Sequence, residues 1–129
     1  MYRDFPLVDI HASALLAAHV ANCAGDQGSY WPMHDRLFQG AGEQAWGGGG
    51  TADFQTFLGY ADELRLDVAS LQQCVETNRH AAAIEADFRE AAQLGVRSTP
   101  SFLVNGKLLV GAQPYATWRR VLDDLLAKQ

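Results

Sequence analysis

The chain has 129 residues, 48% of them apolar, and a formal net charge of −5. That is the length of about one domain with enough apolar matter for a core, so a disordered chain is excluded. The negative balance speaks against nucleic acid and anionic membrane as partners, and no apolar run approaches the roughly 20 residues of a membrane span.

The opening stretch "MYRDFPLVDI" has neither the basic start nor the apolar stretch of a secretory signal. Its residues 1–4 are a strand candidate, cut short by Pro6. Residues 12–24 are expected to form a helix, because Leu16, Val20 and Cys23 recur at helical spacing. Gly25 and Gly28 end it. A second helix is expected from Ser29, as N-cap, to Phe38, with Pro32 in its first turn where a missing N–H is harmless. Its stripe of Trp31, His34 and Phe38 is expected to face a core.

The segment "QGAGEQAWGGGGT" reads as a slack, mobile loop. It is not a phosphate loop, since no strand precedes it and no Lys-Ser/Thr follows. Thr51 is expected to cap a helix over 52–64. Asp67 is expected to cap the next, with Val68, Leu71, Cys74 and Val75 on one face. Residues 78–94 form an Ala-rich helix, with Ile84, Phe88, Ala91 and Ala92 at core spacing and Gly95 as its stop. Glu85 and Asp87 are two apart on it, so they face different ways and are expected to be solvated.

"SFLVNGKLLVG" then holds two apolar runs around Asn105-Gly106, a hairpin signal. Pro114 opens a last helix carrying Tyr115, Trp118, Val121, Leu122 and Leu125 on one face. A lone hairpin is marginal in water, and continuous apolar runs suit strands covered on both faces of a larger sheet. A strand partner is therefore missing from this pattern.

Cys23 and Cys74 are the cysteines, and no CxxC is present. Each lies late in a helix on its apolar face. One disulfide and two inert buried thiols both remain open. His11, His19, His34 and His80 match no ligand spacing, so they read as surface or capping residues, and no metal or cofactor is expected.

Taken in order, "YRDFPL", "CAGDQGSYWPMHDRLF", "GVRSTPSFLVNGK" and "VGAQPY" resemble the DsbA-like thiol–disulfide oxidoreductases of the thioredoxin superfamily. The resemblance covers nearly the whole chain. It implies an α/β, mostly helical chain: an incomplete thioredoxin-like fold with an inserted helical domain. Residues 1–129 would be a single, N-terminally incomplete domain. Residues 11–94 would be the helical insertion and return helix, and 95–129 the ββα half of the thioredoxin motif.

The family's first strand and CxxC helix precede the element matching "YRDFPL", so the catalytic pair would lie upstream of Met1, with no catalytic residue in this chain. The resemblance makes Thr99–Pro100 a cis peptide facing that pair. Ser98, Thr99 and Pro100 would be the substrate-binding edge, where an extended segment pairs with the free backbone of Thr99. It also suggests a structural disulfide between Cys23 and Cys74, like the second, non-catalytic one of some family members, and an extracytoplasmic location that permits it.

The function implied is disulfide exchange in exported proteins. The partners would be cysteine-containing protein substrates or extended peptides. The alternative is a non-catalytic thioredoxin-like module that binds peptides or proteins through the same edge. A relative using glutathione or a bound thiol cofactor matches "YRDFPL" and "CAGDQG" less well. Without a further strand, the uncovered hairpin edge is expected to pair with a second copy as a homodimer.

Overall fold

In the computed structural model, which describes residues 1–128, eight elements follow one another. They are α1 (Ala14–Gly25), α2 (Tyr30–Gly42), α3 (Gly50–Glu63), α4 (Val68–Glu76), α5 (Ala81–Gln93), β1 (Ser101–Val104), β2 (Lys107–Val110) and α6 (Tyr115–Leu126). This is the mostly helical α/β content expected. The chain divides into two compact units, Met1–Glu90 and Ala91–Gln129.

The first unit is built where α1 to α4 lay their apolar faces together. The helical spacing works as expected on α1 and α4: Val20, Cys23, Leu71 and Cys74 are all buried. Phe57 of α3 and Met33 of α2 are fully buried among them. Each such side chain contributes about 1.5–3 kcal/mol on leaving water. Asp67 caps α4 as expected, its carboxylate accepting from the Ser70 amide at 3.0 Å.

Helix α2 runs past Phe38 to Gly42. Gly40 is the point where it meets α3: a Cβ there would collide with the Tyr60 hydroxyl. The Tyr60 ring in turn lies under the Arg36 guanidinium, 3.8 Å from its centroid. The chain then reverses at Gln44, whose φ is 56°. Trp46 closes the corner by donating its indole N–H to the Leu37 carbonyl at 3.0 Å.

Three expectations are corrected in this unit. Residues 1–4 form no strand; with no neighbouring strand to pair with, the segment is held by side chains instead. Arg3 donates to Asp87 at 2.9 Å and the Asp4 amide to the same carboxylate at 3.1 Å. Phe5 stacks on Phe88, and Asn22 donates to Asp4 at 2.8 Å. Asp87 is thus an anchor for this segment, not a solvated carboxylate, while Glu85 pairs with Arg89 on the outside.

Second, the four glycines are not slack. Asp53, one turn into α3, accepts from the amides of Gly47 and Gly49 at 2.9 and 2.8 Å and from the Ser13 hydroxyl. The helix starts at Gly50 with Gly49 as N-cap, so Thr51 lies inside it. Third, Trp31 and Phe38 are 55% and 65% exposed. They flank half-buried His34 at ring distances of 5.1 and 4.8 Å, with Tyr2 at 5.4 Å. The core is already filled by Met33 and Leu37 on the opposite side of that helix.

In the second unit β1 and β2 pair antiparallel, with Val104 opposite Lys107. The two-residue loop Asn105-Gly106 takes φ of 47° and 79°, the positive values that a hairpin turn matching strand twist demands. Phe102 meets Trp118 of α6 edge-on at 4.7 Å. No described residue of this unit is fully buried.

Candidate functional site

Two sites follow from these elements, one in each unit. In the second unit, α5 ends where Gly95 turns with φ of 90°. The Val96 amide reaches back to the Ala91 carbonyl at 3.0 Å, and the Arg97 guanidinium donates to the Ala92 and Val96 carbonyls at 3.0 and 2.9 Å. Ser98, Thr99 and Pro100 follow directly, before β1. The Thr99–Pro100 peptide is cis.

Both neighbours of Thr99 are tied down. The Ser101 hydroxyl donates to the Ser98 carbonyl at 2.6 Å, and the Gly111 amide donates to the Pro100 carbonyl at 2.8 Å. Thr99 itself is exposed, and its N–H and C=O have no hydrogen-bond partner among the described residues. A backbone donor and acceptor held open beside a strand start can pair with one more extended segment.

In the first unit, Cys23 and Cys74 are joined as a disulfide, with Cα atoms 5.9 Å apart. It staples the last turn of α1 to the last turn of α4. Both half-cystines are 1% exposed. Their surroundings are polar on one flank. Asp26, the C-cap of α1, puts Oδ2 at 3.6 Å from Cys74 Sγ, a contact without a shared proton since the sulfur is bonded. The same oxygen lies 3.0 Å from His80 Nε2 and 3.1 Å from Arg79 Nη1. The His80 hydrogen bond first, then Arg79, holds the Asp26 carboxyl below its ordinary range against the opposing effect of burial.

A fold-back at the end of α4 makes this possible. Asn78 takes φ of 51°, and the Arg79 amide donates to the Cys74 carbonyl at 3.2 Å, which returns His80 over its own helix end. The two sulfurs and a His80 ring nitrogen lie within 4.8 Å of one another. Sequence reasoning singled out both cysteines, set His80 aside as a surface or capping residue, and missed Asp26. The available signal was a carboxylate three residues after one cysteine and a histidine six after the other, each just past a helix end.

No described helix is long and apolar enough to cross a membrane. Comparison with known proteins bears on the chain as a whole. A family described as thioredoxin matches residues 1–124. The chain is similar to the Na(+)/H(+) antiporter NhaA 1 of Salinispora arenicola, with 39% identity over 107 residues, 83% of this chain and 15% of that protein. It is similar to NhaA 3 of Salinispora tropica at 36% identity with the same coverage, and to NhaA of Herminiimonas arsenicoxydans at 30% over 88% of this chain and 17% of that protein. The chain thus spans less than a fifth of these curated relatives. No solved structure matches it. Its helical unit, its ββα unit and a family match over nearly its whole length lead to one assignment: the chain belongs to the thioredoxin family.

Proposed function

We propose that this chain is the substrate-docking part of a DsbA-like thiol–disulfide exchange domain. The observation that carries it is the exposed, unpartnered backbone of Thr99 between the tethered Ser98 and Pro100. An extended, cysteine-bearing segment of a protein substrate pairs with Thr99 and is thereby aligned along the start of β1. Exchange proceeds by attack of a thiolate on a disulfide sulfur, with the second sulfur leaving as a thiolate and a mixed disulfide as the intermediate. The attacking pair comes from outside these 129 residues, whose only cysteines are Cys23 and Cys74. An extracytoplasmic setting is supported by that disulfide, since such bonds persist in oxidising compartments.

The test is a titration of the isotope-labelled chain with an extended cysteine-containing peptide, followed by NMR. Amide shifts are expected at Ser98, Thr99 and Ser101. Thr99→Pro removes the donor and is expected to weaken binding by up to about tenfold, the worth of one backbone hydrogen bond. Unmoved amides, or equal binding by the variant, would sink the docking reading.

A second reading is a non-catalytic binding module. The absence of a CxxC favours it, and the antiporter relatives suggest a partner class, a membrane cation antiporter. The two readings separate in a dithiol-oxidation assay on the longest natural protein that carries this chain. Exchange that thiol alkylation abolishes supports the first; peptide binding without exchange supports the second.

A further inference from the structure

We propose that the Cys23–Cys74 centre is a redox-gated metal site, which on reduction takes one zinc ion through Cys23, Cys74, His80 and Asp26. The inference stands on geometry within the first unit and is independent of Thr99–Pro100 docking. Zinc prefers four tetrahedral ligands, at about 2.3 Å from sulfur and about 2.0–2.2 Å from nitrogen or oxygen. Those bond lengths place ligand atoms about 3.3–3.8 Å from one another.

Cys23, Cys74 and His80 already lie together, and Asp26 borders that trio beside Cys74 and His80. Asp26 Oδ2 is 3.6 Å from Cys74 Sγ and 3.0 Å from His80 Nε2. The sulfurs and a His80 nitrogen fall within 4.8 Å of each other. The two sulfurs are bonded to each other here, and Asp26 lies outside the trio on the Cys74 and His80 side, so its carboxylate has to swing toward Cys23 to complete the set. Breaking the bond forces the sulfurs apart to non-bonded contact, which is the separation a shared zinc requires. The Cα atoms are 5.9 Å apart in the bonded state.

The remaining features fit such a site. The cysteines are buried, while the side chains of His80 and Asp26 are 21% and 35% exposed, so an ion has a polar way in from one flank. Arg79 already bonds Asp26 and would orient it as an outer partner. The donor set of two thiolates, one imidazole and one carboxylate suits zinc.

The step balances as follows. A dithiol delivers two electrons and two protons to the Cys23–Cys74 bond and is itself oxidised to a disulfide. The two thiols formed lose their protons to solvent as they bind zinc. A small disulfide reverses the step: it takes two electrons from the two thiolates and two protons from solvent, leaves as a dithiol, and the Cys23–Cys74 bond re-forms as the ion is released.

The experiment compares the oxidised chain with one reduced by a phosphine, which does not compete for zinc as a dithiol does. Zinc uptake is read by competition with a chromophoric chelator, and cobalt replaces zinc for spectroscopy. The expected result is one zinc per reduced chain, none per oxidised chain, and a thiolate-to-cobalt charge-transfer band in the reduced form alone. His80→Ala and Asp26→Ala are each expected to weaken zinc binding by at least about tenfold while leaving the oxidised fold unchanged by circular dichroism.

A folded reduced chain that takes up no zinc overturns the proposal, as does equal affinity in the His80→Ala variant. If reduction alone unfolds the chain, one equivalent of zinc is expected to restore its helical signal, and not in His80→Ala. Failure of zinc to restore it overturns the proposal equally.

Discussion

Asp53 shows how one residue organises a stretch that carries no structure of its own. It is 5% exposed, and its carboxylate gathers the Ser13 hydroxyl and the amides of Gly47 and Gly49. Burial pushes this carboxyl up, but the hydrogen bonds from Ser13, Gly49 and Gly47 outweigh it and hold the group below its ordinary range. A carboxylate with a depressed folded-state pKa stabilises the fold above its unfolded value of about 3.9 and stops doing so as pH falls through the folded value. Asp53→Asn is therefore expected to cost about 2–3 kcal/mol at neutral pH, the worth of hydrogen bonds to a buried charge. The gap between variant and parent should close as urea titrations are repeated at lower pH through that range. A constant gap from neutrality to pH 3 would contradict the assignment. Nothing local in "GGGG" announces this arrangement. The partners are Ser13 and Asp53, and a run of glycines reads as slack until a buried acceptor is known to collect its amides.

At the scale of elements, much was legible because the pattern is local. The apolar repeats on α1 and α4, the Asp67 cap and the Asn105-Gly106 turn each depend on residues within a few positions. The misreadings share the opposite cause. Residues 1–4 are a short stub before Pro6, and a strand exists only when another pairs with it. The Trp31–His34–Phe38 stripe is apolar, yet Met33 and Leu37 take the core side of the same helix. The disulfide partners were named from resemblance, whereas Asp26 was not named and His80 was not joined to them, because only the crossing of α1 and α4 brings 23, 26, 74 and 80 together. That crossing also sets an energetic expectation. The bond spans a sequence separation of 51, so removing it in Cys23→Ala/Cys74→Ala is expected to cost about 4 kcal/mol on the chain-entropy account. Urea unfolding of the double variant against the oxidised parent measures it. A loss under about 1 kcal/mol would mean that the unfolded double variant keeps the two helices near each other without the bond.

For the molecule as a whole, the two units differ in how well they are covered. Among the described residues, every fully buried side chain lies in the first. In the second, Phe102, Leu103 and Val110 of the hairpin and Leu122 and Leu126 of α6 remain exposed. Both strands of a two-stranded sheet are edges, and exposed apolar edges pair with what is available. The 129-residue chain by itself is expected to rise from monomer to dimer mass with concentration in light scattering, and Leu103→Lys to return it to monomer. Monomer mass at all concentrations would refute this.

The staple of the first unit has one more consequence, topological in kind. Residues 24–73 leave the path of the chain at Cys23 and rejoin it at Cys74, only 5.9 Å away. Two or three residues could bridge that gap. To the remainder of the polypeptide, α2 and α3 are therefore a closed excursion that begins and ends at one point. The loops that join them can lengthen or shorten, with Met33 and Phe57 kept in the core, without altering where the two ends of the excursion meet.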